Sequence, residues 1–371
     1  MEKELNPIII GGDHHNTLGV IRSLGERGVQ SDLILVSQDK RTFVDYSKYV
    51  DVKEIIAKDE DIVGCLLSKF VNKDGKPVVI CCSDASSGQI DEHYDQLEGY
   101  FLLPGGGGKG VITPLMNKRL MAKLAVETGL TIPHSYYVEE VSSVDDIQLP
   151  CIFKPIESRK GRKADIEIIR TKEDLSRILS QENGVNYQIQ EFIEKEIEYQ
   201  LIGCSTKDDV IIPGVSIILR PCKGSNTSFL HYVPLEQCFC DIEKCKEYVR
   251  RTGYYGLFSL EFLRDKSGRD YFMEINFRND GNAICVTAAG ISLPHIWYLD
   301  CLDRNYGDEV NNTVKPVYVM PDMAELKLLL TRQISLRQYI EDLKKTDRFM
   351  EFDSKDGKPF WALLKKEIIR W

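Results

Sequence analysis

No uninterrupted apolar run approaches the ~20 residues that a helix needs to span a bilayer, so no integral membrane segment is expected. Basic character is scarce as well. Lys and Arg number 48 against 57 Asp and Glu, for a formal net charge of -9, and the isoelectric point is near 5.4. Without a broad basic surface the chain is not suited to a nucleic-acid backbone, and any anion site must be local. The 11 cysteines are odd in number and scattered. Several lie in apolar runs such as Val78-Val79-Ile80-Cys81-Cys82, which suits reduced thiols rather than a disulfide framework. The first seven residues carry no apolar core of a secretory signal before Ile8-Ile9-Ile10. Together these features predict a cytoplasmic protein. Two phosphate-binding fingerprints also fail. Gly11 to Gly19 does not fit Gly-x-Gly-x-x-Gly, and the stretch ending Gly108-Lys109-Gly110 has Leu103 where a Walker loop needs Gly and Gly110 where it needs Ser or Thr. Internal repeats and low-complexity segments are missing.

What remains is a 371-residue chain that can bury a large core in two or three lobes. Its first hundred residues alternate short apolar strands (Pro7 to Ile10, Leu33 to Val36, Val78 to Cys81) with helical patterns, which predicts a parallel sheet with flanking helices. The glycine-rich Pro104 to Gly110 closes this α/β unit, set at residues 1–111. A small α+β lobe is expected over 112–190, with a helix from Lys118 ended by Gly129. A large lobe is expected over 191–310, and a helical extension over 311–371.

The strongest chemical signal is a hairpin. Leu257-Phe258-Ser259-Leu260-Glu261-Phe262-Leu263 is followed, after the turn Asp265-Lys266-Ser267-Gly268, by Tyr271-Phe272-Met273-Glu274-Ile275-Asn276-Phe277-Arg278. Period two sets Glu274, Asn276 and Arg278 on one face, and the tight turn brings Glu261 beside them. Two carboxylates and an amide oxygen make a hard, all-oxygen site of the kind that holds magnesium, and the arginine suits an anionic substrate. Solvated charges on an exposed strand face are the plainer alternative. Two lysines add to this: Lys154 ends the apolar strand Cys151-Ile152-Phe153, and Lys118 opens a helix. Either could serve as a point charge for phosphate oxygens, although a surface role is the default for a lone lysine. Tyr187 to Ile193, followed by an acidic stretch to Glu198, could offer backbone groups to a purine edge and a carboxylate to a ribose.

Taken in order, these pieces resemble the ATP-grasp superfamily over Ile8 to Pro294, most specifically over Gly256 to Gly281. The resemblance implies an N-terminal Rossmann-like domain followed by a two-lobed ATP-grasp domain, with ATP and Mg2+ as cofactors and Mn2+ as a substitute. It implies Glu261, Glu274 and Asn276 as metal ligands. Lys118 and Lys154 are implied for the phosphates, Gln190, Glu191, Phe192 and Ile193 around the adenine, and Glu198 at the ribose. Arg278 would meet the acceptor carboxylate or acyl phosphate, with Arg220 as a further oxyanion group. The usual glycine-rich loop is replaced by the basic Glu157 to Ala164, whose Lys163 would face the triphosphate. The Lys163-Ala164 ending is similar to carboxylate–amine ligases that include D-aspartate ligases.

The activity implied is ATP-dependent joining of a small-molecule carboxylate to an amine, with a homodimer kept open. The rivals are a non-catalytic ATP-binding sensor and a carboxylase that phosphorylates bicarbonate. Three other features are expected to be structural: His14 and His15 as exposed loop residues, Cys222, His231, Cys238, Cys240 and Cys245 without zinc-site spacing, and an amphipathic tail packed on the other lobes rather than on a membrane.

Overall fold

The computed structural model describes residues 5–58, 60–137, 141, 143–156, 167–181, 187–221 and 228–370. The fold is mixed α/β, with one parallel sheet of four strands and two further sheets.

In the parallel sheet, β1 (Ile8–Gly12), β2 (Ser31–Val36), β3 (Val50–Ile56) and β4 (Val79–Cys81) lie in the order β3-β2-β1-β4. Ile8, Ile9 and Ile10 are all buried, as a β-branched run covered on both faces should be. The chain winds outward from β1 through β2 and β3 on one side and places β4 on the other. The gap beyond the carboxyl ends of β1 and β4 is therefore the topological switch point, where open α/β sheets form a crevice. The two helices that flank it are α1 (His15–Gly25), which follows β1, and α3 (Asp84–Glu92), which follows β4; α2 (Ile62–Lys69) lies between them in the chain. Gly11 permits the tight β1–α1 turn, since a Cβ there would collide with Thr17 Oγ1 and lie 2.9 Å from the Cys82 Cβ.

The second sheet is antiparallel, in the order β5-β8-β6-β7, formed from β5 (Ser135–Tyr137), β6 (Cys151–Pro155), β7 (Glu167–Ile169) and β8 (Tyr187–Glu191). Leu175 and Ile178 of the helix Lys172–Gln181 pack on Cys151, Phe153 and Ile189. The third sheet runs β14-β13-β9-β11-β12-β15-β16, and β10 pairs with β9. Its strands are β9 (Lys195–Ser205), β10 (Val210–Ile211), β11 (Gly214–Pro221), β12 (Ser228–Pro234), β13 (Gly256–Asp265), β14 (Asp270–Asn276), β15 (Val317–Met320) and β16 (Arg348–Phe349). The helix Ile242–Thr252 buries Cys245, Tyr248 and Val249 with Tyr199, Leu201 and Phe258 on one face. Ile202, Cys204, Leu230 and Tyr232 share a core with Leu18, Ile21 and Leu24 of α1. The parallel sheet's first helix is thus packed into the large sheet's core.

One expectation needs correction. The stretch 311–371 is not only helical, because β15 and β16 extend the large sheet beside β12. Pro104 to Gly110 is tied down at Gly105, which exchanges two backbone hydrogen bonds with Tyr255 (2.8 and 2.9 Å). The end of the chain returns to α1. Arg22, fully buried, donates from Nε to Asp356 Oδ2 (3.1 Å), while Lys366 of the helix Lys358–Arg370 reaches Asp13 Oδ2 (2.7 Å). Lys366 and Leu363 are buried, whereas Trp361 and Ile368 remain exposed. Among the described residues no helix is long and apolar enough to cross a membrane.

Candidate active site

The β13–β14 hairpin forms at the expected residues, and its register sets Glu261 opposite Glu274 and Ser259 opposite Asn276. Gln200 of β9 lies across from Glu261 on the other side. Glu261 Oε1 accepts from Asn276 Nδ2 (3.0 Å) and Gln200 Nε2 (3.5 Å). Asn282 Nδ2 in turn holds Gln200 Oε1 (2.9 Å). Burial and then the neighbouring charge of Glu274 push the Glu261 carboxyl up to about 8. A divalent metal bound beside the pair would favour the ionised form of both carboxylates.

The donor chemistry fits magnesium. Among the described residues no group of three or more His, Cys, Asp or Glu side chains is arranged to hold a metal. Two glutamates are a smaller set, joined by the Asn276 amide once its oxygen, which here accepts from Arg278, is turned to the ion, and they suit an ion that keeps waters and phosphate oxygens as its remaining ligands.

Both lysines join this site from other elements. Lys118 opens the helix Lys118–Glu127, capped by Asn117 Oδ1, which accepts from Arg119 N (2.9 Å). The Lys118 ammonium lies 3.6 Å from Glu274 Oε2. Lys154 is buried on β6 and donates to Gln190 Oε1 (2.7 Å), while Gln190 Nε2 donates to Ser135 Oγ (3.0 Å). Burial lowers the Lys154 pKa to about 8, against the opposing pull of Glu274. Lys118, Ser135, Gln188, Gln190, Phe272 and Met273 line a shallow cleft between the antiparallel sheet and β14.

Of the residues assigned to the adenine, Gln190 lines this cleft. Glu191 ends β8, its carboxylate accepting from His134 N (3.2 Å). Phe192 lies under the Arg170 guanidinium (5.9 Å), and Ile193 is buried at the connection to β9. Glu198, paired with Lys195, shares a strand face with Gln200, and its charge acts on Glu261. Lys163 and the basic loop 157–164 lie outside the described residues.

Arg278 turns away from the hairpin toward the parallel sheet. It donates from Nη2 to Asn276 Oδ1 (3.1 Å), from Nε to Asp84 Oδ1 (3.1 Å) and from Nη1 to Asp280 Oδ2 (3.4 Å). Burial alone would lower its pKa, but Asp84 and Asp280 outweigh this and raise it. Asn279 N donates to Cys81 O (3.0 Å) and Asn16 Nδ2 to Asn279 O (3.1 Å), so the segment carrying Arg278 is sewn to the end of β4 and the start of α1. The guanidinium therefore stands at the switch-point crevice, next to Asn276 and within reach of the charges of Glu261 and Glu274.

Arg220 does not reach this cluster. It lies past a register shift in β11, covers the Phe229 ring and donates to Glu325 Oε2 (2.6 Å) and Asp342 Oδ2 (2.7 Å), both buried. Its charge is engaged with two carboxylates from the C-terminal helices, which replaces the expected oxyanion role with a structural one.

Of the two histidines only His15 differs from expectation: it is buried and lies 3.5 Å from Glu351, whereas His14, which caps α1, is exposed in the β1–α1 loop. Asp84, Asp280, Gln200 and Ser259, whose Oγ donates to Asp280 Oδ2 (3.0 Å), belong to the site and carried no local signal in the sequence. Cys240 Sγ is 3.7 Å from both Cys238 Sγ and Cys245 Sγ, whereas His231 stacks on Tyr318 instead and Cys222 lies outside the described residues.

No family model matches the sequence. A D-aspartate ligase of Enterococcus faecium (strain Aus0004) is 24% identical over 323 residues, covering 78% of this chain and 75% of that protein. The crystal structure of an L-amino acid ligase from Bacillus licheniformis matches with a TM-score of 0.64 at 15% identity, over 85% of this chain and 78% of its own. A biotin carboxylase–β,γ-ATP complex from Campylobacter jejuni also matches at 0.64, with 14% identity over 84% of this chain and 74% of its own. The resemblance to ATP-grasp carboxylate–amine ligases thus extends from the sequence motifs to the fold.

Proposed function

We propose that this protein is an ATP-dependent carboxylate–amine ligase that works through an acyl phosphate and releases ADP and phosphate. An amino acid joined to an amino-acid, peptide or cell-envelope precursor is the substrate pairing we favour. One observation carries the reading. Lys118 and Lys154 come from two other elements to the charges of Glu261 and Glu274 on the hairpin, with Asn276 beside Glu261, while Arg278 leaves the same hairpin for the adjoining crevice.

The residues divide the work between two substrates. Lys118 and Lys154 neutralise phosphate oxygens, and burial of Lys154 strengthens that contact by excluding competing water. Gln190 to Ile193 line the base and Glu198 takes the ribose. Glu261, Glu274 and Asn276 would hold magnesium, which supplies charge neutralisation across the phosphates. A substrate carboxylate oxygen attacks the γ-phosphorus in line, and the bond to the β,γ-bridging oxygen breaks to release ADP. The amine then adds to the acyl carbon, the carbon–oxygen bond to phosphate breaks, and the amine proton leaves to solvent or phosphate. Catalysis is positioning and charge stabilisation, with Arg278 at the developing oxyanion and no side-chain nucleophile required. Asp84 and Asp280 keep that guanidinium aimed.

The test is phosphate release from Mg-ATP with amino acids, D-aspartate among them, offered singly and in pairs with amines. Bicarbonate is included because a biotin carboxylase is an equal match in fold. Release that needs one carboxylate and one amine supports the ligase. Release with bicarbonate alone favours the carboxylase, and ATP binding without turnover favours the sensor.

A further inference from the structure

His14 stands at the carboxyl end of β1, on the opposite lip of the switch-point crevice from Asp84 at the end of β4. It is tied to the Arg278 segment by Asn16, two residues on, whose Oδ1 accepts from Asn279 Nδ2 (2.6 Å). The Arg278 charge acts on its ring. Its Nδ1 accepts from Asn16 N (3.2 Å) as the cap of α1. A nitrogen that accepts this bond carries no proton, so in the neutral ring the proton sits on Nε2. The side chain keeps an exposed face, and Nε2 meets no partner among the described residues.

We infer that His14 is a substrate-positioning residue whose fixed Nε2–H donates to an anionic oxygen of the carboxylate, or acyl phosphate, held between it and Arg278. This deepens the ligase reading and rests on it. The same geometry excludes His14 as the base for the amine, because its one lone pair is committed to the helix cap. Its charged surroundings agree. Partial burial first, then His15 and Arg278, lower the ring's pKa against the opposing influence of Asp13. His15, 3.8 Å away between ring centroids, is likewise held neutral by burial. A neutral donor adds direction to the crevice without adding to the charge that Arg278 brings.

Two substitutions separate donation from capping. His14→Ser keeps a cap for α1 but cannot reach the crevice, whereas His14→Gln offers an amide N–H where Nε2 stood and caps poorly. With D-aspartate and an amine as probes in the phosphate-release assay, His14→Ser raises KM for the carboxylate about ten- to hundredfold, the loss of one hydrogen bond to a charged group. KM for ATP stays within about twofold, and His14→Gln recovers most of the loss. If capping were the whole role, Gln would be the damaged variant and Ser the silent one, which would overturn the inference. Nitrogen-15 NMR of the full chain, which has six histidines, gives a readout independent of turnover. The His14 signal, assigned by its disappearance in His14→Gln, is expected as the Nε2–H form at neutral pH, and an Nδ1–H form refutes the inference. A wild-type protein with that tautomer but no carboxylate-dependent phosphate release would instead sink the ligase reading alone.

Discussion

Glu274→Gln separates the cost of the carboxylate pair from its use. Glu274 stands between a repulsive neighbour and an attractive one. With both ionised, above about pH 8, cross-strand carboxylates ~5 Å apart repel by roughly 3 kcal/mol at an effective dielectric of about 20. The Lys118 ammonium at 3.6 Å attracts by about 4–5 kcal/mol on the same footing. The two nearly cancel there, so the metal-free variant should unfold within about 1–2 kcal/mol of wild type in chelator-treated urea titrations above about pH 8. Its function should not be spared, because a magnesium ligand and its charge are gone at the phosphates. Turnover in the phosphate-release assay is expected to fall at least about a hundredfold, as when one preorganised electrostatic group is removed. Magnesium affinity, measured by titration calorimetry with ADP present, should fall in parallel. A variant that loses stability heavily while keeping its magnesium response would refute this account, because Glu274 would then be a structural residue facing Lys118.

Lys154, lowered to about 8 by burial, should make ATP affinity fall as pH rises past about 8, because ATP prefers the ammonium. The stability linkage has the opposite sense: the unfolded chain binds the extra proton between about 8 and 10.5, so stability rises with pH across that window. Lys154→Met should abolish both trends, and a persistent ATP trend in fluorescence titrations would contradict the assignment. Arg220→Met should destabilise by leaving Glu325 and Asp342 buried without a cation. Adding Glu325→Gln and Asp342→Asn should restore folding and turnover together, and folding without turnover would return Arg220 to the reaction. Asp356→Asn should cost about 3–5 kcal/mol by stranding the buried Arg22 guanidinium. A denaturant midpoint equal to wild type would disprove that coupling.

Legibility followed sequence distance. The β13–β14 hairpin was readable because strand alternation and an Asp-Lys-Ser-Gly turn fix its register locally, and with it Glu261, Glu274 and Asn276. Lys118 and Lys154 were readable only as the ends of their elements. Asp84 was not, since it meets Arg278 from 194 residues away. Arg220 was misjudged for the same reason: its partners lie 105 and 122 residues further on. β3 escaped because its centre is exposed and charged, and β16 because two residues carry no period. His15 read as a loop residue because its burial depends on Glu351 and the C-terminal stretch.

The closure of α1 by Arg22–Asp356 and of the β1 loop by Lys366–Asp13 spans 334 and 353 residues. During synthesis, then, the lip of the crevice that bears His14 emerges first and is completed among the last. A nascent chain would hold its β13–β14 hairpin, Lys118 and Lys154 well before the β1–α1 loop that bears His14 is fixed. Such distant pairings slow folding and leave the early sheet exposed while it waits. Ribosome-stalled chains cut back before residue 356 should therefore remain protease-sensitive around residues 13–22 even when the central sheet has formed.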